Sequence, residues 1–211
     1  MEFDIWLTFV AASLVLLLIP GPTILLVLSY ALSKGRPVAV ASASGVALGD
    51  LIAMSASLAG LGALVMTSAT LFMALKWVGA GYLIWLGLKL WRSAPVGGLA
   101  DITMAKDVTA RSVFTHAAIV TALNPKGIAF FIAFVPQFLQ PGAPLLPQFA
   151  ILIATFVGLA AANAMAYALL ADHLRRWIDR PGFTIGLTRV GGAALMGMGV
   201  ATAVLRRPDL Q

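Results

Sequence analysis

The sequence predicts an all-α polytopic membrane protein with six transmembrane helices. Of its 211 residues, 61% are hydrophobic and only 10% are charged, a composition far from that of soluble folds. Six apolar runs each approach the roughly 20 residues that a spanning helix needs, and they cover residues 5–33, 38–66, 70–91, 112–138, 147–171 and 185–205. Little chain is left over, so we expect a single transmembrane domain over residues 1–211.

The first run is interrupted by the sequence Pro20-Gly21-Pro22. Proline has no backbone N–H, so the carbonyls of Leu16 and Leu18 lose their helical partners, and Gly21 lets the chain bend. Unpaired carbonyls are not tolerated against lipid. We therefore expect the break to be buried in protein or to line a polar cavity. The run lacks the basic segment and the cleavage site of a signal peptide, and we expect it to remain as the first helix.

The second run contains two glycines and an acidic residue in close succession. Gly45 and Gly49 lie four residues apart, a spacing that allows close contact between helices. Asp50 follows directly and is the one acidic residue deep in any apolar run, where insertion scales give a cost of at least ~2.5 kcal/mol. Either a helix-packing hydrogen bond or a proton or ammonium site explains it. We favour the second interpretation, because intramembrane acids usually serve a function.

The third run carries aromatic residues near both ends. Trp77 and Trp91 are placed as anchors at the membrane interfaces, and the run predicts no chemistry. The polar segment after it, residues 92–111, is interpreted as a hinge between two halves of the chain.

The fourth run contains a second break, at Asn124-Pro125-Lys126, where Pro125 is expected to free the carbonyl of Thr121. The chain would then consist of two groups of three spans, each opening with a broken helix. Because three is odd, the two groups face opposite ways across the membrane, as in transporters built from inverted repeats, whose substrate site lies where the broken helices meet. We place repeat 1 at about 1–91 and repeat 2 at about 112–211.

Two further polar residues lie deep in the second half. Lys126 has three open interpretations: an ion pair with Asp50, contact with a substrate carboxylate, or a side chain that reaches to the interface. Asn163, in the fifth run, is expected to hydrogen-bond to another helix or to substrate. His116 and His173 fall near helix ends and are interpreted as solvated.

The basic residues predict the orientation. They gather in the first, third and fifth loops, which should be cytoplasmic by the positive-inside rule, with both termini outside. Lys76 and the pair Arg206-Arg207 run weakly against this assignment. The same rule accounts for the net charge of +6 without a nucleic-acid partner. The absence of cysteine excludes disulfides, thiolate metal sites and a cysteine nucleophile, and we predict neither metal nor cofactor.

The ordered motifs resemble the LysE/RhtB family of amino-acid exporters over about the first two thirds of the chain. They are Pro20-Gly21-Pro22, Gly35-Arg36, the segment from Gly45 to Asp50, the segment from Gly79 to Leu83, Asn124-Pro125-Lys126 and Pro136-Gln137-Phe138. Thr23 departs from the pattern, since the family often has Asn or Asp there, and this bears on the choice of substrate.

The resemblance implies export of amino acids or close analogues across the bacterial cytoplasmic (inner) membrane, driven by the proton gradient. Freed carbonyls at the breaks would accept the substrate ammonium, half-helix N-termini or Lys126 would attract its carboxylate, and Asp50 would exchange a proton. The residues predicted for substrate binding or coupling are Pro20, Gly21, Pro22, Thr23, Gly45, Gly49, Asp50, Asn124, Pro125, Lys126 and Asn163.

Two other classes stay open. A membrane-embedded enzyme would need a nucleophile with a base or several metal ligands at one depth, and the sequence offers few. A passive channel or helper subunit is not excluded by any feature of the sequence. The sequence also leaves open whether the protein is a homodimer.

Overall fold

The computed structural model describes residues 1–34, 37–67, 69–92, 109–140, 143–171, 173–174 and 181–204. In this part of the chain the secondary structure is helical throughout. Its elements are α1 (Phe3–Leu18), α2 (Pro22–Lys34), α3 (Pro37–Thr67), α4 (Ala69–Arg92), α5 (Ala110–Ala122), α6 (Pro125–Ala129), a π-helical turn (Phe130–Phe134), a 3-10 turn (Val135–Phe138), α7 (Leu145–Leu169) and α8 (Pro181–Val204). Several sequence features lie outside the described residues: residues 93–108 of the predicted hinge, Gly35-Arg36, and the basic residues at 175, 176, 180, 206 and 207.

Each apolar run of the sequence corresponds to helix, but fewer than six qualify as membrane spans. Four described segments are long and apolar enough to cross a bilayer: Val38–Ala63, Ala110–Phe138, Leu145–Leu169 and Ile185–Val204. The pair Phe3–Leu18 and Pro22–Leu32 makes a fifth if the bent helices count as one span. The chain is therefore a multi-pass membrane protein. Helix α4 is not among these segments; it carries three cations, Lys76, Lys89 and Arg92, which lower its hydropathy.

The first predicted break is confirmed. Helix α1 ends at Leu18, Ile19 adopts an extended conformation with ψ of 112°, and α2 begins at Pro22 at an angle of 58° to α1. Proline is favoured at the first position of a helix, because the N–H that it lacks would have no intrahelical partner there. The sequence Pro20-Gly21-Pro22 thus ends one helix and begins the next.

The second predicted break is also present but shallower. Helix α5 ends at Ala122 and α6 begins at Pro125, with Asn124 as its N-cap, yet the whole segment qualifies as one span. The prediction that Pro125 frees the Thr121 carbonyl was wrong. The backbone N–H of Asn124 donates to that oxygen at 3.1 Å. This bond closes a tight turn and replaces the helical bond that Pro125 cannot donate.

Beyond the second break the helix does not resume in regular α form. Residues Phe130–Phe134 form a π-helical turn and Val135–Phe138 a 3-10 turn, geometries that redirect side chains within a continuous helix. Their aromatic rings interlock with those of neighbouring helices: the Phe131 ring meets Phe156 of α7 edge-on at 4.9 Å between centroids, and the Phe138 ring meets Phe9 of α1 at 5.3 Å. This cluster packs the core on one side of the breaks.

Glycines bring two pairs of helices into backbone contact. A Cβ atom placed on Gly49 of α3 would lie 2.6 Å from the carbonyl oxygen of Ala118 in α5, and Gly45 also faces α5. The predicted packing role of these glycines is therefore confirmed. In the same way Gly87 of α4 and Gly192 of α8 each approach the other's carbonyl, at 2.6 Å from an added Cβ. Small residues permit such close approach between helices.

Candidate functional site

The two helix breaks meet at a small cavity, lined by polar and apolar groups, between α1, α2, α3, α5, α6 and α7. Its lining includes Gly21, Thr23, Asp50, Thr121, Asn124, Lys126 and Asn163, together with apolar residues such as Phe156. The cavity has a volume of about 40 Å³, which is room for a few water molecules and less than a whole amino acid requires. The break in the first helix therefore lines a cavity that contains polar side chains.

Lys126 closes the C-terminal end of α1. Its Nζ donates hydrogen bonds to the carbonyl oxygen of Leu16 at 3.0 Å and to that of Ile19 at 2.9 Å. The last carbonyls of a helix lack intrahelical partners, and the negative end of the helix dipole favours a cation there. The ammonium group thus satisfies two carbonyls that would otherwise be unpaired at the break.

The other two carbonyls at this end are bonded by side chains of α7. Asn163 Nδ2 donates to the Leu17 oxygen and the Tyr167 hydroxyl donates to the Leu18 oxygen, each at 3.1 Å. The four consecutive carbonyls from Leu16 to Ile19 therefore all have side-chain partners from the second half of the chain. At membrane depth, every backbone carbonyl at the end of a broken helix needs such a hydrogen-bond partner.

The N-terminal ends of the two half-helices are joined by polar side chains. Thr23, the second residue of α2, accepts a hydrogen bond through its hydroxyl oxygen from Asn124 Nδ2 at 3.2 Å, and Thr121 of α5 donates to the same oxygen at 3.4 Å. Asn124 also caps α6, because its side-chain oxygen accepts from the Lys126 N–H at 3.1 Å. All three side chains are buried.

Asp50 faces the same cavity without a direct partner. Its side chain is only 7% exposed, yet the polar groups around it bond elsewhere: Lys126 to α1, and Thr121 and Asn124 to Thr23. Within the described part of the chain no group donates a hydrogen bond to this carboxylate. Lys126 hydrogen-bonds to backbone carbonyls rather than to Asp50 in this conformation, but both charged groups line the cavity and attract each other. The interpretation of Lys126 as the ion-pair partner of Asp50 stays a prediction.

The predicted site residues fall into two groups. Gly21, Thr23, Asp50, Asn124, Lys126 and Asn163 line the cavity. The others shape the scaffold around it: Pro22 and Pro125 begin the half-helices, Pro20 lies in the first break, and Gly45 and Gly49 hold α3 against α5. Since Gly49 precedes Asp50, that helix contact fixes the depth at which the carboxylate enters the cavity.

Sequence reasoning missed two contributors, Thr121 and Tyr167. Thr121 lies one helical turn before the second break, and Tyr167 lies four residues after Asn163 on the same face of α7, so its placement could have been read from that spacing. His116, interpreted as solvated, is exposed, and its Nδ1 lies 2.7 Å from the Tyr30 hydroxyl. This contact joins α2 to α5 away from the cavity.

Comparisons with known proteins show which family the sequence matches. The family described as LysE type translocator matches residues 14–206. A homoserine/homoserine lactone efflux protein of Salmonella typhimurium is 35% identical over 207 residues, which cover 98% of this chain and 99% of the relative. Its counterpart in Salmonella typhi is 34% identical over the same shares. An uncharacterized membrane protein of Vibrio cholerae is 32% identical over 98% of this chain and 100% of its own length.

No solved structure matches the chain. The family match covers nearly the whole sequence, including both breaks and all residues that line the cavity. The identities to the relatives extend across the same length. The protein therefore belongs to the LysE family of translocators.

Proposed function

We propose that this protein exports small amino acids or their close analogues from the cytoplasm in exchange for protons, with Asp50 as the coupling carboxylate. Membership of the LysE family and the names of the efflux relatives support amino-acid export and point to a transporter rather than an enzyme. Homoserine is the first substrate to test, since two relatives carry it in their names.

The observation that carries the proposal is the environment of Asp50. A carboxylate that is 7% exposed and has no hydrogen-bond donor among the described residues is costly when charged inside a membrane. Binding either a proton or an ammonium group removes that cost. Because a protonated Asp50 no longer attracts an ammonium group in the cavity, proton entry favours substrate release, which is the requirement for antiport.

The remaining groups of the cavity suit the rest of an amino acid. The N-terminal end of α2 at Thr23 provides a positive dipole for a carboxylate, and the hydroxyl of Thr23 and the amide of Asn124 provide polar groups for a short side chain. An apolar wall that includes Phe156 limits the size of the substrate. Substrate entry requires the cavity to widen, since about 40 Å³ holds only a few waters.

Packing between the helices supports the inverted repeat that we propose. If the breaks correspond, α3 corresponds to α7 and α4 to α8. Exchanging the two repeats would then leave the α3–α7 contact and the α4–α8 contact unchanged. It would convert the α3–α5 contact into a contact between α7 and the first broken helix. All of these contacts are present. Both half-helices also begin with proline, at Pro22 and Pro125.

The inner-membrane location and the cytoplasmic placement of the odd loops complete the proposal. With that orientation, α2 and α5 meet at the cytoplasmic end, so the Tyr30–His116 contact would lie on the side from which an exported substrate enters. A homodimer is compatible with the exposed apolar surface.

Export from reconstituted vesicles tests the proposal. Vesicles loaded with a panel of radiolabelled amino acids that includes homoserine are placed in buffer of the same or lower pH, so that the proton gradient is the only variable. We expect homoserine efflux to accelerate when protons can flow inward and the vesicle interior to acidify with it. An efflux rate that does not change with the proton gradient indicates a passive channel. Loss of substrate with appearance of a new compound indicates an enzyme. Either result contradicts the proposal.

A further inference from the structure

The ammonium group of Lys126 occupies the position at the first break where an amino acid's ammonium was expected to bind. Its Nζ lies 3.0 Å from the Leu16 oxygen and 2.9 Å from the Ile19 oxygen. We call these two carbonyl oxygens the carbonyl cradle. A Cβ atom placed on Gly21 would lie 3.4 Å from the same Nζ, so the ammonium also lies against the glycine of the break.

The carbonyl cradle has the chemistry of a site for primary ammonium ions. It offers two neutral acceptors at the negative end of α1, and it selects a cation that carries several N–H donors. The neighbouring carbonyls of Leu17 and Leu18 are bonded by Asn163 and Tyr167. The cradle oxygens are therefore the two carbonyls at this helix end whose partner is a cation. Another cation can replace that partner without changing the charge at the cradle.

Lys126 is suited to leave the cradle. It lines the cavity, and four rotatable bonds separate its ammonium from the backbone. The cavity also contains the Asp50 carboxylate, which has no direct partner in this conformation and could receive the displaced ammonium. Movement of this long side chain would in addition open space in a cavity of about 40 Å³.

We propose that Lys126 is a tethered stand-in for the substrate: its ammonium fills the carbonyl cradle when the transporter is empty, and the substrate's ammonium displaces it. This inference deepens the proposed function, because it assumes that the substrate is a primary amine. It assigns Lys126 a positioning role as an intramolecular competitor, rather than the role of a permanent helix cap. A competitor that fills the site in nine of ten molecules weakens the apparent affinity for a ligand about tenfold.

Binding of a simple ammonium ion to purified protein tests the inference without transport. The Lys126→Ala variant is titrated with ethylammonium, which has three N–H donors, and with tetramethylammonium, which has the same charge and none. Thermal unfolding in detergent reports binding. Lys89→Ala is the matched control, since Lys89 lies over the Trp85 ring at 5.2 Å and its loss removes the same charge elsewhere.

We expect ethylammonium to stabilise Lys126→Ala at concentrations at least about tenfold lower than those needed for the unaltered protein or for Lys89→Ala. Tetramethylammonium should stabilise none of them selectively. Equal ethylammonium affinity in Lys126→Ala and the unaltered protein would overturn the inference, because it would mean that Lys126 does not compete for the cradle.

A second measurement uses the unaltered protein and does not depend on how Lys126→Ala folds. The side-chain nitrogen of Lys126, one of five lysines, is identified by ¹⁵N-lysine NMR as the signal that Lys126→Arg lacks. Saturating homoserine should move this signal, and an unchanged signal while homoserine binds would overturn the inference. Ethylammonium binding without any homoserine export would instead count against the proposed function and leave the cradle assignment standing.

Discussion

The side-chain amide of Asn124 donates a hydrogen bond to the hydroxyl of Thr23 at 3.2 Å, across a sequence separation of 101 residues. Asn124 precedes the half-helix α6 and Thr23 lies in the first turn of α2. The bond therefore ties together the two places where the helices are interrupted. Both residues are at most 9% exposed, so neither group can exchange this partner for bulk water.

Replacing Thr23 with valine should destabilise the protein. The substitution keeps the shape of the side chain but leaves the Asn124 amide without its buried acceptor, which costs about 1–3 kcal/mol. Thermal unfolding in detergent should show the loss as a lower Tm. Thr8→Val is the matched control, because the Thr8 hydroxyl makes an exposed bond within its own helix and its loss should stay within about 0.5 kcal/mol. Equal effects would argue that the Thr23 bond contributes little.

Replacing Gly49 with alanine should separate α3 from α5. The added Cβ would lie 2.6 Å from both the Ala118 oxygen and the Thr121 Cβ, a clash with backbone that overpacking data place at about 1–3 kcal/mol. We expect a lower Tm and impaired export, because Asp50 moves with Gly49. Gly60→Ala on the same helix meets no atom within 4 Å and should be neutral or stabilising. Similar behaviour of the two variants would contradict the packing found here.

The contact between Tyr30 and His116 predicts energetic coupling between α2 and α5. A double-mutant cycle with Tyr30→Phe and His116→Ala should give an interaction energy of about 0.5–3 kcal/mol, measured by unfolding. If the contact also controls access from the cytoplasm, the single variants should change the rate of export more than the apparent affinity for substrate. Additive effects of the two substitutions on stability would show that the 2.7 Å contact is not a significant bond.

Cysteine labelling tests the proposed orientation in a chain that has no native cysteine. Single substitutions Ser93→Cys, Ala143→Cys and Pro181→Cys are introduced, and intact cells are treated with a thiol reagent that does not cross membranes. Only Ala143→Cys should react, because we place its loop outside. Reaction of Ser93→Cys together with protection of Ala143→Cys would reverse the orientation.

The helix breaks could be predicted from the sequence because their causes are local. Proline lacks an N–H wherever it stands, so Pro20-Gly21-Pro22 and Asn124-Pro125 interrupt helices independently of the rest of the fold. The angle between the helices at each break could not be predicted in this way. The tight turn at Asn124 is closed by a backbone bond to Thr121. Ile19 and Asn124 each precede a proline and have the extended backbone that this position favours, so the difference between the two bends arises elsewhere.

Which side chain bonds to which carbonyl at the site could not be predicted, because the two partners lie in distant parts of the chain. Lys126 bonds to carbonyls 107 and 110 residues away, and Asn163 and Tyr167 bond to carbonyls 146 and 149 residues away. The sequence predicts that carbonyls are freed but not which side chains reach them. The hydrogen bonds of Lys126 to the carbonyls of α1 were not among its three interpretations, because they depend on its position in space.

Gradient-driven export by Asp50→Asn tests the central claim most directly. Asparagine keeps the size of the side chain and its ability to hydrogen-bond but cannot exchange a proton. Reconstituted Asp50→Asn is compared with the unaltered protein and with Asp4→Asn, which removes an exposed acid from the first turn of α1. Insertion and Tm are checked first, so that a folding defect is recognised as a structural role.

We expect Asp50→Asn to insert normally, to lose acceleration of homoserine efflux by an inward proton gradient, and to lose the accompanying acidification of the vesicle interior, while Asp4→Asn keeps both. Full gradient-driven efflux by Asp50→Asn would contradict the assignment of Asp50 as the coupling carboxylate.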